Sequence, residues 1–286
     1  MKCLVIGANG QLGSDLVKSL SPHEVIGTTH QDLDVTQAEQ VLQRVQKCRP
    51  EVIINTSAFH KVDLCEMETL EAFRVNAVGV RNLCVAARKV DAVLVHFSTD
   101  YVFEGNLRHP LIENADTNPI NVYGVSKLAG EKIIRYLWEK SFVIRTCGLY
   151  GHAGSSGKGG NFVETMLKKG KAGDAIRVVD DQVLTPTSTQ ELARKVSELI
   201  RTEHFGLYHV TSDGECSWYE FAAAIFEIAK INATLLPTTS AEFKSTARRP
   251  AYSVLENGHL RRLGMDDMKS WKEALRDYIV ERPGKN

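Results

Sequence analysis

The sequence lacks several things, and each absence removes a class of protein. Net charge is missing: Lys+Arg and Asp+Glu both number 35. A balanced chain has no overall field to gather nucleic acid or an anionic membrane surface, so neither is expected as a partner. The six cysteines (Cys3, Cys48, Cys65, Cys84, Cys147, Cys216) include no C-x-x-C pair. Neither a structural zinc spacing nor a disulfide framework is therefore expected. No apolar run approaches the length of a membrane span. The chain opens on Met1-Lys2-Cys3-Leu4-Val5-Ile6, without a secretory apolar region. A reduced, cytoplasmic protein without a metal is the expectation. His96, His152 and His209 have no metal-ligating company, and His96, inside an apolar strand, reads as a satisfied core residue.

What is present is a regular alternation. Short apolar runs at Leu4–Ile6, Glu24–Gly27, Val52–Asn55, Ala92–Phe97 and Phe142–Arg145 read as strands. Leu12–Leu20, Gln37–Lys47 and Thr69–Lys89 between them carry the helical period. Nearly continuous apolar strands alternating with helices predict an α/β fold, a doubly wound parallel sheet of the Rossmann kind. The 286 residues suffice for that core and a smaller lobe. We assign residues 1–150 to a dinucleotide-binding domain and 151–286 to a C-terminal substrate-binding lobe, with 181–203 returning to the first domain. The glycine- and serine-rich stretch Gly151–Gly160 reads as a flexible connection.

Gly7-Ala8-Asn9-Gly10-Gln11-Leu12-Gly13 follows the first strand and opens a helix. Glycines there permit a tight turn, and the helix amino terminus favours a pyrophosphate. The second strand runs out in Gly27-Thr28-Thr29-His30 without the carboxylate that would bind a ribose 2′-hydroxyl. NADPH is thus expected ahead of NADH, with both open. Asp34 could reach the adenine edge, while Asp32 could cap a turn.

In an open parallel sheet, ligands bind beyond the carboxyl ends of the strands. Asn55-Thr56-Ser57-Ala58-Phe59-His60 ends the third strand and Ser98-Thr99-Asp100-Tyr101 the fourth, giving a polar rim. Asn76 interrupts an apolar helix, either bonding locally or serving the cofactor. Downstream, Tyr123 and Lys127 are four residues apart on one helix face. A neighbouring ammonium favours the phenolate and would lower the tyrosine pKa. Hydride delivery to a ketone builds negative charge on oxygen. Tyr123 would protonate that oxygen, Lys127 would stabilise the phenolate, and Thr99 would orient the carbonyl.

These residues, in this order, resemble the extended short-chain dehydrogenase/reductases, and within them the dTDP-4-dehydrorhamnose reductase family. The likeness runs through Gly7–Gly13, Ser98–Phe103, Asn121–Glu131, Asn161-Phe162, Asp180–Thr187, Gly206–Val210, Ser217–Ala222 and Ala247–Leu255. It implies a Thr99–Tyr123–Lys127 triad and reduction at C4 of a 6-deoxy-4-ketohexose carried on dTDP, serving dTDP-rhamnose and polysaccharide synthesis. On the cofactor side it implies Gly7, Asn9, Gly10, Gln11, Leu12, Asp34, Val35, Ala58, Phe59, His60, Asn76, Ser98, Tyr123 and Lys127. On the substrate side it implies Thr99, Asp100, Asn161, Arg248 and Arg249, the arginines suiting a diphosphate. A homodimer is in keeping with such folds.

One position departs from the family. Where a tryptophan commonly packs on the sugar, this chain has Gly148, after Arg145-Thr146-Cys147. Either Trp218 or Tyr219 replaces the ring, or the sugar differs. A 4,6-dehydratase needs an acid/base carboxylate pair after the threonine, and here Tyr101 follows Asp100. An epimerase, a reductase of another 4-keto sugar, and a non-catalytic subunit like the methionine adenosyltransferase beta subunit stay as alternatives.

Overall fold

The computed structural model describes residues 1–153, 160–173 and 175–282. Residues 154–159 of the glycine- and serine-rich stretch lie outside those described. Six parallel strands form the central sheet: β1 (Lys2–Ile6), β2 (Glu24–Thr28), β3 (Val52–Asn55), β4 (Val93–Thr99), β5 (Ser141–Thr146) and β6 (Gly206–His209). Their spatial order is β6-β5-β4-β3-β1-β2. The chain leaves β1 for β2 on one side and reaches β3 on the other, so the order reverses at β1. That switch point is where a doubly wound sheet opens a crevice for a ligand.

Strand alternation explains the two covered faces. Cys3, Val5, Ile54, Val95, Phe97, Phe142 and Ile144 point into one core. Helices α1 (Gln11–Ser19) and α6 (Thr189–Leu199) close it through Leu12, Leu16, Leu192 and Val196. Leu4, Ile6, Ile53, Leu94 and Val143 point the other way. They meet α2 (Ala38–Cys48), α3 (Val80–Val90) and α4 (Val122–Leu137). Each fully buried aliphatic side chain here stabilises by about 1.5–3 kcal/mol. The doubly wound α/β fold therefore rests on two apolar layers, one per sheet face.

The remaining helices of comparable length, α5 (Phe162–Ala172), α7 (Trp218–Ala229) and α8 (Trp271–Glu281), build a separate core. Val163, Leu167, Phe221, Ile225, Leu275 and Tyr278 fill it, beside a parallel pair of strands, Ile176–Val179 and Leu235–Thr238. Both α7 and α8 start with a reciprocal capping box, Ser217/Glu220 and Ser270/Glu273. The chain crosses between the two cores more than the sequence division allowed. Strand β6 lies in the main sheet against β5, although Gly206–His209 fell in the assigned lobe. Leu260 and Met268 also pack into the main core. Its hydrogen-bond edge on β5 needs a parallel partner, and only a crossover from the far half of the chain supplies one.

The helix expected over Thr69–Lys89 is interrupted. Residues Arg74–Gly79 form a single π-helical turn ahead of α3. Among the described residues, no helix is long and apolar enough to cross a membrane.

Candidate active site

The glycine turn lies at the switch point. Gly7 is left-handed, with φ +80°, and the Gly7 and Ala8 amides donate to the Thr28 carbonyl, both at 2.9 Å. A Cβ at Gly13 would overlap the Gly7 carbonyl, so the turn closes onto the helix only without one. Gly10 caps α1 and offers no side-chain hydrogen bond, leaving the first helical N–H groups for a ligand. This cradle fits a pyrophosphate. Leu12 is buried beneath it, Asn9 is exposed at the surface, and Gln11 Nε2 donates to the Leu149 carbonyl at 3.0 Å.

Beyond β2, Asp32 turns back on Thr29, accepting its amide and hydroxyl at 2.8 Å each. No carboxylate therefore stands free at that strand end. Asp34 accepts from the Thr36 amide and hydroxyl at 2.9 and 2.8 Å. Burial works against its charge, but the Thr36 bonds prevail and hold the carboxyl below its ordinary value. Val35 contributes to the core through its side chain, and its carbonyl accepts from the buried Asn82 Nδ2 at 3.0 Å.

Asn76, in the π-helical turn, is 1% exposed. Its Oδ1 accepts the Phe59 amide at 2.9 Å, and its Nδ2 donates to the Phe59 carbonyl at 3.0 Å and to Ser126 Oγ at 2.9 Å. One amide thus pins the Ala58–His60 loop to α4, the helix bearing Tyr123 and Lys127. π-Turns concentrate at functional sites, and this one places a polar side chain where a regular helix would place an apolar one.

Helix α4 begins tightly. Asn121 Oδ1 accepts the Gly124 amide at 2.8 Å, and Glu66 Oε1 accepts the Val122 amide at 2.8 Å. Gly124 lets the helix start against the Tyr101 carbonyl, and Gly130 lets it approach the Asn76 carbonyl. With α4 so placed, Tyr123 meets Tyr101 edge-on, ring centres 5.9 Å apart. Thr99, at the end of β4, lies near the Tyr123 phenol and donates to Asp100 Oδ1 at 2.9 Å. Cys147 Sγ donates to Asp100 Oδ2 at 3.0 Å. Burial raises the Asp100 carboxyl above its ordinary value, against the hydrogen bonds from Ser253, Cys147 and Thr99.

The phenol behaves opposite to the sequence expectation. Burial, then the nearby Asp100 charge, push Tyr123 above its ordinary value and outweigh whatever lowers it. Lys127 Nζ is 2.6 Å from the Phe97 carbonyl, to which it donates, and 3.4 Å from His96 Nε2. Burial lowers its own pKa to about 8 against the pull of Glu131. The physical reason is orientation. The i and i+4 positions share a helix face, but the lysine stem lies down against β4.

Other candidates are committed elsewhere. Ser98 Oγ donates to Glu131 Oε1 at 2.5 Å, on the sheet face away from Thr99. Asn161 caps α5 and donates to the Gly151 carbonyl, Gln11 Oε1 and Tyr278 Oη at 2.9–3.2 Å, which ties the lobe to α1. Arg248 is exposed. Arg249 is held by Asp63 Oδ2 at 2.7 Å and donates to Tyr101 Oη at 3.3 Å. Gly148 has φ +56°, and a Cβ there would crowd Leu184 and Pro186, so no ring fits at that position. Trp218 packs on Phe162, ring centres 4.6 Å apart, in the lobe core. Sequence reading missed Asp63 and Glu66, and placed Asn55 on the cofactor rim, whereas its side chain is buried against His96 and Ser57. Asp63 and Glu66 face across the cleft from a short helix, Val62–Met67, that carries no motif of its own.

A sheet of this order with a glycine cradle at its switch point is a Rossmann-type fold of the kind that binds dinucleotides. Comparison with known proteins narrows the class. The chain belongs to the family of the RmlD substrate binding domain, whose model matches residues 1–282. It is 40% identical over 283 residues to the spore coat polysaccharide biosynthesis protein SpsK of Bacillus subtilis, covering 98% of each. A solved dTDP-4-dehydrorhamnose reductase from Clostridium acetobutylicum superposes with TM-score 0.94 at 44% identity, covering 98% of this chain and 99% of that one. The dTDP-4-dehydrorhamnose reductase of Bacillus anthracis, solved in complex with NADP, gives TM-score 0.94 at 42% identity, over 98% and 100%.

Proposed function

We propose that the chain reduces the C4 ketone of dTDP-4-dehydro-L-rhamnose to dTDP-L-rhamnose with NADPH or NADH, in the cytoplasm. The family and the names of both solved relatives support the reaction, and the NADP bound to one of them supports the cofactor. The site residues are our own assignment. Its single carrying observation is the buried Tyr123 phenol set near Thr99 at the carboxyl end of β4, its ring edge-on to Tyr101 at 5.9 Å.

Gly7, Gly10, Gln11 and the amino terminus of α1 would hold the pyrophosphate, and the Asn76-pinned loop Ala58–His60 would line the nicotinamide side. A bound reduced nicotinamide supplies the hydride. Tyr123 gives its proton to the ketone oxygen as negative charge develops there. A phenol kept protonated by burial is ready as an acid throughout the neutral range. Thr99 would orient that oxygen once its single hydroxyl proton turns from Asp100 Oδ1 to the ketone. Lys127 in its charged form stabilises the phenolate that proton donation leaves. Exposed Arg248 would meet the diphosphate, with Arg249 held beside it.

The test is loss of nicotinamide absorbance with enzymatically generated dTDP-4-dehydrorhamnose. Tyr123→Phe is expected to lower turnover about 10²–10⁴-fold with cofactor affinity nearly unchanged. Normal turnover by that variant would remove the proton-donor role.

A further inference from the structure

Two polar residues interrupt the apolar strands beneath Lys127. They are Asn55 on β3 and His96 on β4, paired in the sheet register and 2% and 0% exposed. Asn55 Oδ1 accepts both the Ser57 amide, at 3.1 Å, and the Ser57 hydroxyl, at 2.5 Å. A backbone N–H is an unambiguous donor, so the Asn55 amide cannot be turned over without facing donor to donor. Its Nδ2 therefore donates to His96 Nδ1, 3.1 Å away. A ring nitrogen that accepts carries no proton, which leaves the proton of a neutral imidazole on Nε2. That N–H faces Lys127 Nζ at 3.4 Å. An ammonium has no acceptor site, whereas an amine has a lone pair. Among the described residues, the one oxygen accepting from Nζ is the Phe97 carbonyl.

We propose that His96 is a positioning residue that favours the neutral amine of Lys127 in the cofactor-free protein at alkaline pH, its Nε2–H donating to the Nζ lone pair. On cofactor binding Lys127 would take a proton from solvent, and the ammonium would support the phenolate. The charged and titratable groups facing this pair are few. His96 comes from β4, and Glu131 lies one turn along α4, itself paired with Arg145 at 2.7 Å. Tyr123 lies one turn before. Burial is the larger cause that drives His96 well below its ordinary value, in keeping with a neutral ring, and Lys127 lowers it further only when protonated. The fall of Lys127 to about 8 agrees with an amine that is readily reached.

The proton-uptake step rests on the proposed cofactor site, but the tautomer does not, so the two can fail separately. Long-range ¹H–¹⁵N spectra of ¹⁵N-histidine protein without cofactor at about pH 9 should show His96 protonated at Nε2 and bare at Nδ1. A proton on Nδ1, or on both nitrogens, would overturn the proposal. Calorimetric NADP⁺ titration in buffers of different ionisation enthalpy should show uptake near one proton at about pH 9 and near none at about pH 6.5. Equal uptake at both would also overturn it. Asn55→Asp puts an acceptor against Nδ1, so the ring proton should move there and the uptake should vanish. Unchanged uptake in a folded Asn55→Asp protein would refute the link through His96. If the tautomer is as stated but no 4-keto sugar is turned over, it is the functional reading that fails.

Discussion

Lys127 and Glu131 sit one turn apart on α4, 2% and 6% exposed, and the protein treats their charges in opposite ways. Glu131 receives Ser98 Oγ and both the Nε and Nη2 groups of Arg145, at 2.5–2.9 Å. Arg145 is further engaged by the Glu113 carbonyl and lies over the Phe103 ring, 5.0 Å from its centre. Lys127 has a single carbonyl and a donor-bearing imidazole. A buried charge with every lone pair matched fixes structure, while one left short of partners is poised to exchange a proton or accept a ligand. The first is a clamp between β4, β5 and α4. The second is the end of the site.

The sharpest way to break this contrast is at the clamp. Arg145→Met leaves Glu131 as an unpaired buried carboxylate and should cost about 3–5 kcal/mol in urea unfolding. Replacing both partners with apolar residues should recover most of that loss. A single substitution with no effect would mean the pair contributes nothing. Lys127→Met should act in the other direction. The fall of the Lys127 pKa from 10.5 to about 8 corresponds to about 3 kcal/mol of folding free energy spent on the charged form. The variant should therefore be more stable at neutral pH by about 1–3 kcal/mol, while losing turnover. The sign follows from proton counting. Between about 8 and 10.5 the unfolded chain binds more protons at Lys127, so the wild type gains stability as pH rises there. The advantage of Lys127→Met should be full below about pH 8 and shrink above it, as thermal melts across pH would read.

A smaller effect is expected at the hinge between the two halves of the contrast. Asn76→Ala strands the Phe59 amide and removes the link to Ser126. It should cost about 1–3 kcal/mol and weaken NADP⁺ binding several-fold, measured by titration, because the Ala58–His60 loop loses its tie to α4. Tight cofactor binding by the variant would show that the loop holds itself.

Much of the site could be read without coordinates. The glycine turn, the rim at Thr99 and the Tyr123/Lys127 spacing depend on neighbours within a few residues, and local periodicity carries them. Asn76 was visible as a polar residue in an apolar helix, though its partners were not. The substrate side was harder. Arg248 and Arg249 are adjacent in sequence and indistinguishable in type, yet one is exposed and the other is bound to Asp63, 186 residues away. Ser98 looked like a rim hydroxyl but is drawn to Glu131 by the parity of the strand, which points alternate residues to opposite faces.

The sequence by itself determined the alternation of strands and helices, the closed glycine turn, and which helix face carries a phenol and an amine. Those are consequences of steric and periodic rules acting along a short length of chain. Tertiary structure decided which protons those groups keep. The direction of the Lys127 stem, the donor face of His96 and the raised Tyr123 phenol all arise from groups far apart in sequence brought into one low-dielectric space.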